Sequence, residues 1–364
     1  MNTVLACVDA QMFREALGRV YQIAARQATL PILGEALVRF DGSSCTIICT
    51  NLNQWCLATL PASGDSFSLV FTKTKSLLAA CRHFSGQLEL QFSSEPTDKE
   101  PDPDGQITVS DGTRSLTQRT WRASDFPMLP EADFTERYPI DAEKLLERFK
   151  RVRYAVSVDT NRPARCCVEF VDQRIVTLDG YRLALSADPA LKVKAPFFIP
   201  VEAMSELQMF KGQSCTLCVG EKYASFENEA LRLLTRIPEN DHLDIDHMIP
   251  SRLEEEFLVP VEPLWAEVKY LSEAASKKDR KPIRFNGQTM ELETSDGLYS
   301  AKVGLPPITV RGFNPRYLLE GFGQFKAKKT PTVTMKVGHP HSPIILTDDE
   351  SDLAMVLPVR LKVA

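Results

Sequence analysis

The residues best suited to chemistry are few and poorly spaced for it. Nine cysteines and five histidines occur in 364 residues. Cys215-Thr216-Leu217-Cys218 has the spacing of half a zinc or redox site. It lies in a strand-like run, however, where residues three apart point to opposite faces, and no second Cys or His pair completes it. His339-Pro340-His341 offers two imidazoles, a pattern that more often marks a turn entering a strand, and Asp348-Asp349-Glu350 sits in an evident turn. Gly321-Phe322-Gly323 falls inside an amphipathic helical pattern with no strand before it, so it is not a phosphate cradle. HExxH, GxSxG and a Gly-rich loop ending in Lys-Ser/Thr are all missing. The expectation is a non-catalytic protein with no metal and no cofactor.

Binding leaves a clearer trace. The net charge is −5, yet basic residues gather at Lys73, Lys75, Arg82 and His83, at Lys144, Arg148, Lys150, Arg151 and Arg153, at Lys277, Lys278, Arg280 and Lys281, and at Lys326, Lys328 and Lys329. Any one cluster reads as a solvated helix face. Their recurrence suggests equivalent helices of repeated units, whose charges sum to a surface that contacts phosphates without reading bases. Aromatics are not interleaved as a single-strand stacking platform requires, so duplex backbone is the expected partner.

The elements that must position these groups repeat. Helical periodicity runs from Asp9 to about Ala25, with Asp9 as N-cap, then from about Thr72 to Phe84, Asp141 to Val156, near Pro200, Pro260 to about Ser276, and Asn314 to about Phe325. Strand-like runs separate them, so helix, strands, helix, strands occurs three times at a spacing of about 120 residues, a period of domains and not of solenoid repeats. Polar, Asp- and Pro-bearing stretches at Ser124–Asp133 and His242–Arg252 read as linkers. The most legible turn is Asp179-Gly180, between Ile175–Leu178 and Leu183–Leu185, which predicts a tight hairpin with Tyr181 and Arg182 beside it.

Hydrophobic content of 43% with 25% charged residues is that of a soluble globular protein. No apolar run is long enough to span a bilayer, and the start lacks a basic leader and a long apolar core, so a cytoplasmic protein with reduced thiols is expected.

Several stretches together resemble the β sliding clamp of bacterial DNA polymerase III, in a divergent form: Thr29-Leu30-Pro31-Ile32-Leu33-Gly34, Thr50-Asn51-Leu52, Ala123-Ser124-Asp125-Phe126-Pro127, Asp179-Gly180-Tyr181-Arg182-Leu183-Ala184, Gly312-Phe313-Asn314-Pro315-Arg316-Tyr317-Leu318 and the closing Leu357-Pro358-Val359-Arg360-Leu361. The resemblance implies an α+β fold of three similar clamp-type domains, 1–124, 125–248 and 249–364, each with two helices packed on antiparallel sheets. It also implies a head-to-tail homodimer that closes a six-domain ring around duplex DNA and tethers a polymerase and clamp loader subunits through short Leu/Phe-containing peptides. By position, the peptide pocket would comprise Leu178, Gly180, Tyr181, Arg182, Leu183, His247, Met248, His341, Pro343, Met355, Val356, Leu357, Pro358, Val359 and Arg360, with Arg182 and Arg360 fixing polar groups at its rim. DNA-facing residues would be Arg26, Lys73, Lys75, Arg148, Arg151, Arg162 and Arg165; the dimer interface would use Leu116, Gln118, Tyr270 and Leu271. Leu243 stands where the family usually has proline. The alternative is a clamp-fold adaptor or paralogue with no replicative role.

Overall fold

The structure of the chain, a computed structural model, describes residues 2–25, 29–94, 104–239, 242, 244–250, 253–274, 281–305 and 308–361. It divides into two compact units: unit 1 holds residues 1–142 and 206–237, unit 2 holds 143–205 and 238–364.

Unit 1 is built on an antiparallel sheet of 13 strands running from Glu136–Asp141 at one end to Ser63–Gly64 at the other. Residues from the middle of the chain join its first third where strand Leu231–Arg236 pairs with Gln54–Pro61, Leu233 facing Cys56. The helix Ala10–Val20 starts where the sequence places its cap, the Asp9 carboxylate accepting from the Met12 N–H at 2.8 Å. Ala10, Phe13, Leu17 and Val20 form its buried stripe.

Unit 2 has a sheet of eight strands and one of four. The strand Arg182–Ala187 pairs with Leu353–Val356, placing Leu183 opposite Met355 and Leu185 opposite Leu353. Helices Val261–Ala274 and Pro315–Lys328 pack on the four-stranded sheet and on Leu353–Val356, around Leu264, Val268, Phe285, Phe313, Phe322 and Phe325. The second helix begins with Asn314 accepting from the Arg316 N–H at 3.0 Å, has Pro315 in its first turn, and ends on Lys329 with φ of 62°. The sheets and helices form the α+β architecture expected from the sequence.

One regularity was not expected. Each of six helices follows a strand with at most two residues between: Asn2–Asp9, Ser66–Phe71, Glu136–Asp141, Phe197–Pro200, Glu255–Pro260 and Ile308–Phe313 lead into Ala10–Val20, Thr74–Ala80, Ala142–Val152, Val201–Ser205, Val261–Ala274 and Pro315–Lys328. Only the second of these strands is evident in the sequence. Three of the others carry Pro139, Pro200 or Pro260, and all three lie at an end of their sheet, where a missing N–H leaves no ladder bond unmade. Pro200 closes its strand, and the helix expected near it begins at the next residue, Val201.

Candidate partner-binding site

The site grows from the hairpin. Leu178 faces Leu183, and the Asp179 N–H donates to the Arg182 carbonyl at 3.3 Å, so the two central residues are Gly180 and Tyr181, one position later than the Asp-Gly pair read from the sequence. Gly180 has φ of 92° while Tyr181 lies outside the left-handed region, as in a turn that needs glycine first. The Asp179 carboxylate sets this geometry by accepting from the N–H groups of Tyr181 at 2.9 Å and Arg182 at 3.1 Å. A Cβ on Gly180 would lie 2.8 Å from an Arg165 guanidinium nitrogen. The turn thus pushes Tyr181 outward, 62% exposed, to stack on Tyr317 with ring centroids 6.1 Å apart.

Beneath the turn lies an apolar wall. Period-two alternation brings Leu178 and Leu183 together with Val176, Leu185, Leu353 and Met355 on one sheet face. Ile345, from the neighbouring strand, and Ile245 complete the cluster. The sequence reading missed Val176, Ile245, Ile345 and Leu353, although alternation from Leu178 and Met355 would have found Val176 and Leu353. Val356 is a correction: next to Met355 in an extended strand, it points to the opposite face and is buried in the core under the helices.

The rim comes from three further segments. Leu357, 38% exposed, donates its N–H to the Tyr181 carbonyl at 2.9 Å, tying the closing segment to the hairpin. Val359 follows, bridged to Gly312 through an N–H bond of 2.8 Å, with Pro358 half-buried between them and Arg360 exposed. The short helix Ile245–Met248 is anchored by buried Ile245 and by the bidentate Arg174–Asp246 pair at 2.8 and 3.3 Å, which leaves His247 and Met248 in solvent. Pro343 is buried at the start of strand Ile344–Thr347, and His341 is exposed with its ring 5.4 Å from that of His339. Leu243 is outside the described residues.

Arg182 is a second correction. Its residue is 6% exposed, so it is not available at the rim. It bonds Asp179 at 2.9 Å and Glu320, and its guanidinium lies 4.3 Å from the Tyr317 ring centroid and 5.3 Å from that of Tyr154. Arg182 therefore holds the hairpin against helix Pro315–Lys328, assisted by Gln324, whose amide donates to the Leu185 carbonyl at 2.9 Å.

His247 adds a pH-sensitive element. A hydrogen bond of its Nδ1 to Asp244 at 2.6 Å raises its pKa above the ordinary imidazole value. A raised folded-state pKa means the ion pair contributes fully below the unfolded value and is lost as pH rises through the folded one. NMR titration is expected to show a His247 midpoint above that of an exposed histidine and to return it to normal in Asp244→Asn; a midpoint indifferent to that change would contradict the pairing.

Beyond the tyrosine pair, a cleft of about 900 Å³ is lined by Lys150, Arg153, Arg162, Arg165, Tyr181 and Tyr317 among others. Arg162 and Arg165, expected on DNA, thus sit beside the hairpin. Arg148 and Arg151 are turned inward: Arg148 bonds Asp188 at 3.3 Å and the Ala187 carbonyl, and Arg151 lies 3.3 Å from the Ser186 hydroxyl and 3.7 Å from Asp352. Their helical spacing of three placed both on the face that meets these buried acceptors, so they are not free for phosphate. In unit 1, Lys73 and Lys75 are exposed at the start of helix Thr74–Ala80. Arg26 and the cluster at Lys277, Lys278 and Arg280 fall outside the described residues.

Of the expected interface residues, Leu116 and Gln118 line a cleft of about 1080 Å³ in unit 1. Strand Ser115–Trp121 is paired with Ser66–Phe71 only at Thr120 and Trp121, and both amide atoms of buried Gln118 lack a partner. In unit 2, Tyr270 is 49% exposed and packs edge-on to Tyr299, but Leu271 is fully buried because its helix turns it into the core. Leu298, 65% exposed on the edge strand Gly297–Lys302, is a surface the sequence reading missed. Among the described residues no group of three or more potential metal ligands occurs, and no helix is long and apolar enough to cross a membrane. Cys215 and Cys218 are both buried, with burial first among the causes that push each thiol up to about 12.

No family model matches the chain. It is 24% identical to the β sliding clamp of Caulobacter vibrioides, across 97% of this chain and 99% of that protein. Its fold matches the crystal structure of the C. crescentus β sliding clamp with a TM-score of 0.85 at 20% identity, covering 99% of this chain and 100% of the other. It likewise matches the DNA polymerase III β subunit of Pseudomonas aeruginosa with a TM-score of 0.84 at 17% identity, covering 98% and 100%.

Proposed function

We infer that this chain is a divergent β sliding clamp, a non-catalytic processivity factor that encircles duplex DNA and tethers a replicative polymerase. The observation that carries the reading is the pairing of Arg182–Ala187 with Leu353–Val356, which sets the chain's closing segment beside the Gly180-Tyr181 turn over one apolar cluster. That arrangement suits capture of a short peptide. Aliphatic side chains of a partner would pack on the wall at Leu178 and Met355, with Leu183 buried behind them, while Met248, Leu357 and Val359 close the rim. His247, His341, Pro343, Pro358 and Arg360 shape its borders.

In this reading the chain comprises three domains, 1–124, 125–248 and 249–364, and two copies join head to tail. The incompletely paired edge of Ser115–Trp121, with the unsatisfied Gln118 amide, supports one half of the contact. The exposed Tyr270 and Leu298, the latter on an edge strand, support the other. Strand addition at such edges satisfies backbone groups that otherwise invite uncontrolled pairing. Topology then does the work of affinity: the ring need only touch phosphates weakly, through groups such as Lys73 and Lys75, to remain on DNA while it slides. Clamp loader subunits would use the same pocket.

Sedimentation at micromolar concentration tests the assembly. A species of twice the 40.8 kDa chain mass is expected. A 40.8 kDa species alone at that concentration would overturn the ring.

A further inference from the structure

The cleft beyond the Tyr181–Tyr317 pair carries a charge that the apolar pocket does not need. Lys150, Arg153 and Arg162 are exposed and Arg165 is half-buried. None of the four has a carboxylate within ion-pairing distance among the described residues, whereas Arg182 and Arg316 in the same cleft are both paired with Glu320. The acids that line the cleft are engaged: Asp179 is held by Arg182 and the turn, and the Asp159 carboxylate accepts from the Asn161 backbone and side chain at 3.1 and 3.0 Å. Among the described residues the cleft therefore presents four cations outside any ion pair against one unpaired carboxylate, that of Asp159, and is net positive around a space of about 900 Å³.

We propose that this cleft receives an acidic segment of the partner protein, adjoining the apolar anchors held in the pocket. The proposal rests on the partner-pocket reading above. The two sites share the hairpin: Tyr181 is at once the ridge of the cleft and, through its carbonyl, the tether of the pocket's closing segment. An extended peptide advances about 3.3 Å per residue, so two or three residues beyond an apolar anchor suffice to cross one tyrosine ridge. A volume of about 900 Å³ suits a few side chains and excludes a duplex. Carboxylates reaching Arg162 and Arg165 would make charge-assisted, potentially bidentate bonds, and the exposed Lys150 and Arg153 would add a field that weakens with salt.

The test uses the full-length protein and two fluorescent peptides with the same Leu/Phe anchors, one flanked by three Asp or Glu residues and one by Ser. The acidic peptide is expected to bind about tenfold more tightly at low salt, with the difference closing towards 1 M salt. In Arg162→Gln/Arg165→Gln the acidic peptide should fall to the affinity of the neutral one, whose own binding shifts less than twofold. Lys150→Gln/Arg153→Gln, on different elements, should give a smaller loss of the same selectivity. Equal binding of both peptides by the unmodified protein, or equal losses of both in the first variant, overturns the proposal and leaves the pocket intact. Failure of both peptides to bind overturns the pocket reading itself and the proposal with it. Displacement of the acidic peptide by a short single-stranded oligonucleotide whose affinity also depends on Arg162 and Arg165 would assign the cleft to nucleic acid instead.

Discussion

Asp352→Ala is expected to destabilise unit 2 by about 3 kcal/mol or more, the scale of breaking a buried ion-pair network by removing one partner. Asp352 is fully buried, and its carboxylate accepts from the Ser186 hydroxyl at 3.0 Å and the Ala187 N–H at 2.9 Å. Lys328 stands 3.4 Å from it and Arg151 3.7 Å. Lys328 would keep Asp348 and Glu350, at 2.5 and 2.9 Å, but Arg151, with only 16% of its side chain exposed, would lose its carboxylate and the Ala187 N–H its acceptor. These bonds join the strand Arg182–Ala187 to the chain's last strand, so the loss should spread to the pocket. Asp352→Asn keeps an acceptor for both bonds and should cost less. Urea denaturation measures both; a loss below about 1 kcal/mol for the alanine variant would contradict the network's role.

The second large effect concerns the closing segment. Removing Val359–Ala364 takes away the Val359–Gly312 bridge and the Leu361 side chain that lies over Gly312, where an added Cβ would come within 2.6 Å. It also removes exposed Val359 and Arg360 from the rim while leaving Leu357 bonded to Tyr181. Binding of a Leu/Phe-containing peptide should weaken more than about tenfold, roughly the 1.4 kcal/mol of one interface hot spot. The unfolding midpoint serves as control, since Leu353–Val356 remains in its sheet. Unchanged affinity would remove the closing segment from the pocket.

How much of this was written in the sequence depends on how local the signal is. Asp9 was legible as a cap because a cap is a bond between residues two or three apart, whereas Asn314 was read as the first residue of its helix and proves to be the residue that caps it. The hairpin was legible too, but its centre was misplaced by one residue: the Asp-Gly pattern does not say that the Asp179 carboxylate would take over the backbone and shift the turn to Gly180-Tyr181. The edge strands carrying Pro139, Pro200 and Pro260 were hidden because proline argues against strands until one knows the strand is at a sheet end. Charge was the least legible of all. Arg148 and Arg182 look like surface groups in the sequence, and only tertiary placement beside Asp188, Asp179 and Glu320 turns them into internal ties. The resemblance named the hairpin and the closing segment, but the apolar cluster that unites them required the pairing of strands about 170 residues apart.

The central claim is topological, so the most direct measurement is retention on DNA of different topology. The protein would be loaded by its cognate loader onto nicked circular DNA, separated from free protein by gel filtration in moderate salt, and compared with an aliquot linearised by a restriction enzyme after loading. The account predicts stable retention on the circle and loss by sliding from the linear ends. Equal retention on both would contradict it.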